Sequence, residues 1–282
     1  MGDRVRTRER RKQREQERQR NRQILIVGAI VVVAVVAVVL AIFANQPADA
    51  VINEEAIAQY VDVPQTVTDE GFPVMGSLDA PVQVVEYSSF DCPHCAEFHE
   101  DVTPALVERV KAGEIGFTYV PLYGTGSVPN GEGAARAALC AGEQNAFWAY
   151  HTALFEWQGI YGNQALSGNR LESGASNLGL DVSAWNTCLN SAEINEVIVA
   201  ARAAGSTLEG FTGTPTVTIN GEIVTAALPD LTSAIDLALA SAPPVVVEPV
   251  EEIEPTADAE PTEVTEEDAA VTEVEVTATA DE

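Results

Sequence analysis

Lys and Arg are almost missing from this chain beyond its first 23 residues. Of the 15 in 282 residues, ten (Arg4, Arg6, Arg8, Arg10, Arg11, Lys12, Arg14, Arg18, Arg20 and Arg22) lie in that opening segment. None follows until Arg109. Over 51–242 only Arg109, Lys111, Arg136, Arg170 and Arg202 stand against 24 acidic residues. A surface so poor in cations does not suit nucleic acid, which needs Lys and Arg facing phosphates. From 243 to 282 both basic and aromatic residues are absent. Such acidic Pro/Thr/Val-rich sequence cannot bury enough apolar surface to offset chain entropy, so this stretch reads as a disordered extracytoplasmic tail. Histidine is scarce as well, with His94, His99 and His151 only, which leaves few ligands for a metal.

What the chain does have is one long apolar run. Residues 24–44, ILIVGAIVVVAVVAVVLAIFA, carry no charge; at about 1.5 Å per residue they match the roughly 30 Å hydrocarbon core of a bilayer. A single transmembrane helix is expected there. The basic arm 1–23 marks the cytoplasmic side, so everything after the helix lies outside. A cleaved signal peptide is the rival reading, with small residues at Ala48 and Ala50, but its apolar region is usually only about 7–15 residues long. The expected organisation is a basic cytoplasmic arm (1–23), a transmembrane helix (24–44), a linker (45–70), an outer domain (71–242) and the tail (243–282).

The outer domain reads as α/β. APVQVVEYSSF (80–90) is a short, largely apolar run rich in β-branched residues, which suggests a buried strand. Asp91 then offers a cap for a helix starting near Cys92, with Pro93 in the first turn where proline is tolerated. The helix is expected to run to about Ala112, with a kink at Pro104 and a stop at Gly113. EIGFTYVPL (114–122) reads as a second strand. From 131 to about 205 the pattern turns helical, with Phe147, Trp148, His151, Leu154 and Phe155 on one face. TPTVTINGEIVTAA (214–227) reads as a hairpin turning at Asn220 and Gly221, and 228–242 as a closing helix.

Four cysteines remain to be explained. Cys92 and Cys95 sit three apart at the expected start of a helix, whose unpaired N–H groups and positive partial charge favour a thiolate. Asp91 opposes this and a protonated His94 supports it. A disulfide closing so short a gap removes little chain entropy, so a redox role fits better than a staple. A metal role is the alternative, since Cys92, Cys95 and His99 share roughly one helical face. A closed zinc site needs a fourth ligand, and only His151 remains to supply it. Cys140 and Cys188, both in the helical stretch, read as a structural disulfide, the alternative being two buried free thiols.

QVVEYSSFDCPHC (83–95), with its Cys-Pro-His-Cys tetrapeptide, and GTPT (213–216) together resemble the DsbA-like thiol:disulfide oxidoreductases of the thioredoxin superfamily. AARAALCAGEQNAFWAYHTALF (134–155) is similar to the helical insert of the membrane-anchored BdbD-type branch. The resemblance spans about 71–242 and implies a thioredoxin fold with an inserted α-helical subdomain over about 131–205. It implies that Cys92 exchanges with substrate, flanked by Pro93 and His94, and that Cys95 is the buried partner. By the same likeness Glu86 moves a proton to or from the inner thiol. Thr214 and Pro215, joined by a cis bond, hold substrate beside Cys92. The implied activity is disulfide donation to exported proteins with free thiols, without a cofactor or metal. A membrane partner of the DsbB or VKOR type would restore the disulfide. Threonine rather than valine before Pro215 leaves open a reductase or isomerase; a non-catalytic binding module or metal chaperone is the reading from a different class.

Overall fold

The computed structural model describes residues 21–39 and 48–242. The first helix, α1, covers Asn21–Val39, with mean hydropathy 2.7 over its most apolar window. By length and composition alone it can cross a membrane. The basic arm up to residue 20, the end of the expected span at 40–44 and the acidic tail 243–282 lie outside the described residues.

The domain is built on one six-stranded sheet. β1 is Gln65–Val67, β2 Pro73–Met75, β3 Val82–Ser89, β4 Ile115–Leu122, β5 Thr216–Ile219 and β6 Glu222–Val224. The strand order is β1-β2-β4-β3-β5-β6. Only β3 and β4 run parallel, with Glu86 opposite Tyr119. A parallel pair needs a crossover, and it is made by α3 (Pro93–Asp101) and α4 (Thr103–Lys111). β3 is therefore central, and its carboxyl end delivers the chain into α3. Alternation along β3 separates two faces. Val82, Val84, Glu86 and Ser88 are buried, while Gln83, Val85 and Tyr87 are half-buried on the other side.

The expected single helix from 92 to 112 is two helices. Pro104 has no N–H to offer the carbonyl of Glu100, and its ring crowds that carbonyl. The chain breaks at Val102 (φ −116°, ψ −44°). α4 ends where expected, at Gly113, whose φ of +72° favours glycine. The Asn220–Gly221 turn likewise takes positive φ at both residues, 50° and 89°, the geometry that joins two strands tightly.

Between β4 and β5 lie the inserted helices α5 (Gly131–Gly142), α6 (Phe147–Tyr161), α7 (Gly168–Asn177) and α8 (Val182–Cys188), followed by α9 (Ala192–Thr207). α10 (Leu228–Ser241) closes the domain. α6 is buried nearly all round: Phe147, Trp148, Tyr150, His151, Leu154, Phe155 and Trp157 are each 3 % exposed or less. Fully burying one large apolar side chain is worth about 1.5–3 kcal/mol, so α6 ties the insertion into the core. A disulfide joins Cys140 in α5 to Cys188 at the end of α8. The opposite sheet face packs on α9, through Phe72, Val120, Leu122 and Ala201.

The segment read as a linker is part of this fold from residue 48 on. It forms α2 (Glu54–Ala58), capped by Asn53, whose side-chain oxygen accepts from the Ala56 amide, and then β1. It is also stitched to the insertion: the Trp157 indole donates to the Val51 carbonyl at 2.7 Å and Asn177 to the Ala50 carbonyl at 2.7 Å. Tyr60 and Val63 are buried.

Candidate active site

Cys92 is the N-cap of α3 and Pro93 its first helical residue. The extended backbone at Cys92 (φ −97°, ψ 120°) aims its carbonyl into the helix, where it accepts from the amides of Cys95 and Ala96 at 3.1 and 3.2 Å. The Cys92 thiol donates to the Thr214 carbonyl at 3.4 Å. Thr214–Pro215 is a cis peptide. The Thr214 hydroxyl hydrogen-bonds to the Thr125 hydroxyl at 2.7 Å, so the loops before β5 and after β4 meet at the cysteine.

Asp91 is not the helix cap that its position suggests. It is 3 % exposed; its carboxylate accepts from the Ser89 hydroxyl at 2.6 Å and from the amides of Gly124 and Gly126 at 2.6 and 2.8 Å. Its carbonyl also accepts from the amides of Ser127 and Val128. Asp91 thus clamps the loop after β4 against the start of α3. Local sequence gives no sign of this, because the amide donors of the loop lie more than 30 residues away. The same holds for Gln158 of α6, which donates to the carbonyls of Phe90 and Cys92 at 2.8 and 3.3 Å.

The two thiols are unpaired and electrostatically opposite. Hydrogen bonding from the Cys95 thiol is the main influence bringing Cys92 down to about 5. Partial burial works against this, while Thr214 and the amides of Cys95 and His94 work with it. The Cys95 thiol is fully buried and lies well above its usual range, first through burial, then through Cys92 and the nearby Glu86 carboxyl. A low pKa on one sulfur and a high one on the other separate an exchanging thiolate from a thiol that must be handed its proton. His94 is exposed and pairs with Glu97 at 3.0 Å, which raises its pKa.

Glu86 is 1 % exposed and on the buried face of β3. Burial pushes its carboxyl up to about 8, so it is protonated at neutral pH. Neither of its oxygens has a hydrogen-bond partner in the protein. Ser88, close enough to Glu86 and Cys95 to draw both pKa values slightly down, makes no direct hydrogen bond through its hydroxyl. Of the residues singled out in the sequence, Cys92, Pro93, Cys95, Thr214 and Pro215 meet at one place, with Glu86 beneath Cys95 and His94 at the rim. Among the described residues no group of three or more His, Cys, Asp and Glu is arranged to hold a metal. His99 is buried against His151 instead.

The family model described as thioredoxin matches residues 68–236. The chain is 34% identical over 148 residues to Na(+)/H(+) antiporter NhaA 1 of Salinispora arenicola, covering 52% of this chain and 21% of that protein. It is 35% identical over 95 residues to disulfide bond formation protein D of Bacillus subtilis, covering 32% of this chain and 40% of that protein. These matches thus span less than half of either curated relative. In three dimensions it is similar to oxidised BdbD from Bacillus subtilis, with a TM-score of 0.55 and 23% identity over 63% of this chain and 97% of that one. The chain belongs to the thioredoxin family, whose model spans more than half of it.

Proposed function

We propose that this protein is a membrane-anchored thiol:disulfide oxidoreductase whose Cys92–Cys95 pair, held outside the membrane, donates its disulfide to exported proteins. The observation that carries the reading is the opposed character of the two sulfurs, Cys92 drawn towards the thiolate and Cys95 held as a thiol beside a protonated Glu86. A substrate thiolate attacks the Cys92 sulfur; the Cys92–Cys95 bond breaks, and the proton of Glu86 goes to the departing Cys95 sulfur. A second substrate thiolate then attacks the substrate sulfur of the mixed disulfide and expels Cys92 as a thiolate, which its low pKa favours. The substrate is oxidised by two electrons and the pair is reduced. The Thr214–Pro215 loop, touching Cys92 through the Thr214 carbonyl, is placed to hold an extended substrate strand there.

Turnover then needs an oxidant for the dithiol. A membrane reoxidase of the DsbB or VKOR type fits that need, and α1 would keep the domain near it. The net charge of −28 speaks against nucleic acid as a partner.

The test uses the full chain in detergent micelles, equilibrated with reduced and oxidised glutathione, with a Cys140→Ala/Cys188→Ala variant isolating the active pair. A potential well above the about −270 mV of thioredoxin, towards the about −120 mV of DsbA, is expected. A value near thioredoxin's would overturn disulfide donation and favour a reductase. Cys92→Ser should abolish exchange, whereas Cys95→Ser should trap the mixed disulfide with substrate.

A further inference from the structure

The mechanism leaves Glu86 without the proton it has given to Cys95, sealed from solvent at 1 % exposure. The residues around it supply a way to replace that proton. Tyr119 is the register partner of Glu86 across β3 and β4, and it packs on the same buried face. Its ring lies 4.8 Å from that of His151, at 87°. His151 in turn lies 5.0 Å from His99, at 75°. His99 lines a cavity of about 940 Å³ between α3, α6 and the α2 segment, together with Thr152, Glu156 and Asn53. The rim includes Val51 and Ile160, both more than half exposed.

None of the groups along this line is satisfied by the protein. Both Glu86 oxygens, the Ser88 and Tyr119 hydroxyls, both nitrogens of His151 and Nδ1 of His99 are buried without a hydrogen-bond partner. Polar atoms in that condition call for internal water, which bridges two to four of them. The walls are apolar: Phe90, Phe147, Trp148 and Phe155 all stack on or edge against His151.

We propose that Tyr119, His151 and His99 form a water-assisted proton route from Glu86 to this cavity. The proton given to Cys95 in each exchange is then replaced from the side of α6, away from the substrate held at the Thr214–Pro215 loop. The inference rests on the disulfide-exchange reading above. In the reducing half-reaction a proton passes from the cavity inward as Glu86 carboxylate becomes carboxylic acid. In reoxidation Glu86 first releases its own proton outward along the route and, as the carboxylate, takes the Cys95 proton, which returns it to the acid. Burial holds both imidazoles below their usual pKa, His99 at about 4, so each is neutral and presents one donor and one acceptor nitrogen. The ionisable groups facing the route are Cys95 of α3 and Cys92 at its N-cap, Glu86 of β3, Asp91 just after that strand, Tyr60 after α2 and Glu156 of α6, and at the cavity itself also Glu54 of α2 and Glu97 and Glu100 of α3. Tyr60 hydrogen-bonds to Thr152 at 2.9 Å. Glu156, half-buried and hydrogen-bonded by Asn53, sits at the cavity end with a raised pKa caused by burial.

The full chain in micelles, oxidised at Cys92–Cys95, is mixed with excess dithiothreitol in a stopped-flow instrument from pH 5 to 9, in H2O and in D2O. Tyr119→Phe removes one unsatisfied hydroxyl and leaves the ring, so a merely structural residue would lose nothing. Above about pH 8, where Glu86 starts as the carboxylate and must draw its proton through the route, the route requires that Tyr119→Phe and His151→Phe slow reduction about tenfold or more, enlarge the solvent isotope effect, and add nothing further in a Glu86→Gln background. Wild-type rates, pH profile and isotope effect in both folded variants would overturn it. Should His151→Phe not fold, Tyr119→Phe and nitrogen NMR of the wild-type imidazoles decide. Fast exchange of the ring N–H of His151 and His99 with solvent supports the route, and long-lived protected signals overturn it. If the wild-type disulfide does not react with dithiol at all, the exchange reading falls and the route with it. Wild-type reduction that Glu86→Gln leaves untouched sinks the route alone.

Discussion

Glu86 shows how one residue ties chemistry to stability. Its carboxyl is raised by burial from an ordinary 4.5 to about 8, so the folded protein holds this proton when the unfolded chain has released it. The stability linked to that proton is complete below about pH 4.5 and is lost as pH rises through about 8. In the oxidised protein, where Cys92 does not titrate, wild type should therefore lose roughly a few kcal/mol across that window. Glu86→Gln should not, and denaturant melts at pH 5 and pH 8.5 read the difference directly. In the reduced protein Cys92 works in the opposite sense, because a depressed thiol pKa adds stability as pH rises above about 5. The sequence showed the sulfurs well, since Cys92 and Cys95 are fixed by a three-residue spacing at a helix start. It could not show what Asp91 does, because the amides of Gly124 and Gly126 reach that carboxylate only once β4 has run back alongside β3.

At the scale of elements, the junction of β3 and α3 sets the site, and its tightest point is the loop after β4. A Cβ on Gly126 would run into the Asp91 carbonyl and the Cys92 Cα, and one on Gly131 into the Asp91 carboxylate. Gly126→Ala should therefore cost about 1–3 kcal/mol and push the loop off Asp91. Faster alkylation of Cys92 by iodoacetamide at fixed pH, with a lower melting temperature, would report it. Strong local signals carried most elements through from the sequence: β3, β4, the Asn220–Gly221 hairpin and α10 lie within a few residues of expectation. The failures had physical causes. Pro104 split one helix into two by its effect on the preceding turn. α2 and β1 read as linker because neither has a periodic apolar face; the chain on either side of α2 is held by bonds from Trp157 to Val51, Asn177 to Ala50 and Thr152 to Tyr60, and β1 by pairing with β2, none of which a local pattern reveals.

Across the whole molecule, the disulfide and the buried α6 share the task of holding the helical insertion. Cys140 and Cys188 are 48 positions apart, and on the chain-entropy account closing such a loop is worth up to ~4 kcal/mol. Cys140→Ala/Cys188→Ala should lower the denaturation midpoint accordingly while Cys92 still reacts. A loss of exchange activity at temperatures where the variant remains folded would show that the bond also shapes the site. The route to that second outcome runs through Gln158. Its amide reaches from the middle of the insertion to the carbonyls of Phe90 and Cys92, and the Cys92 carbonyl is also the first acceptor of α3. The insertion is therefore not a detachable module. Exchanging it for a foreign helical block without that amide would leave a thioredoxin scaffold whose reactive turn had lost an anchor, so the two parts can be swapped between relatives only as a matched set.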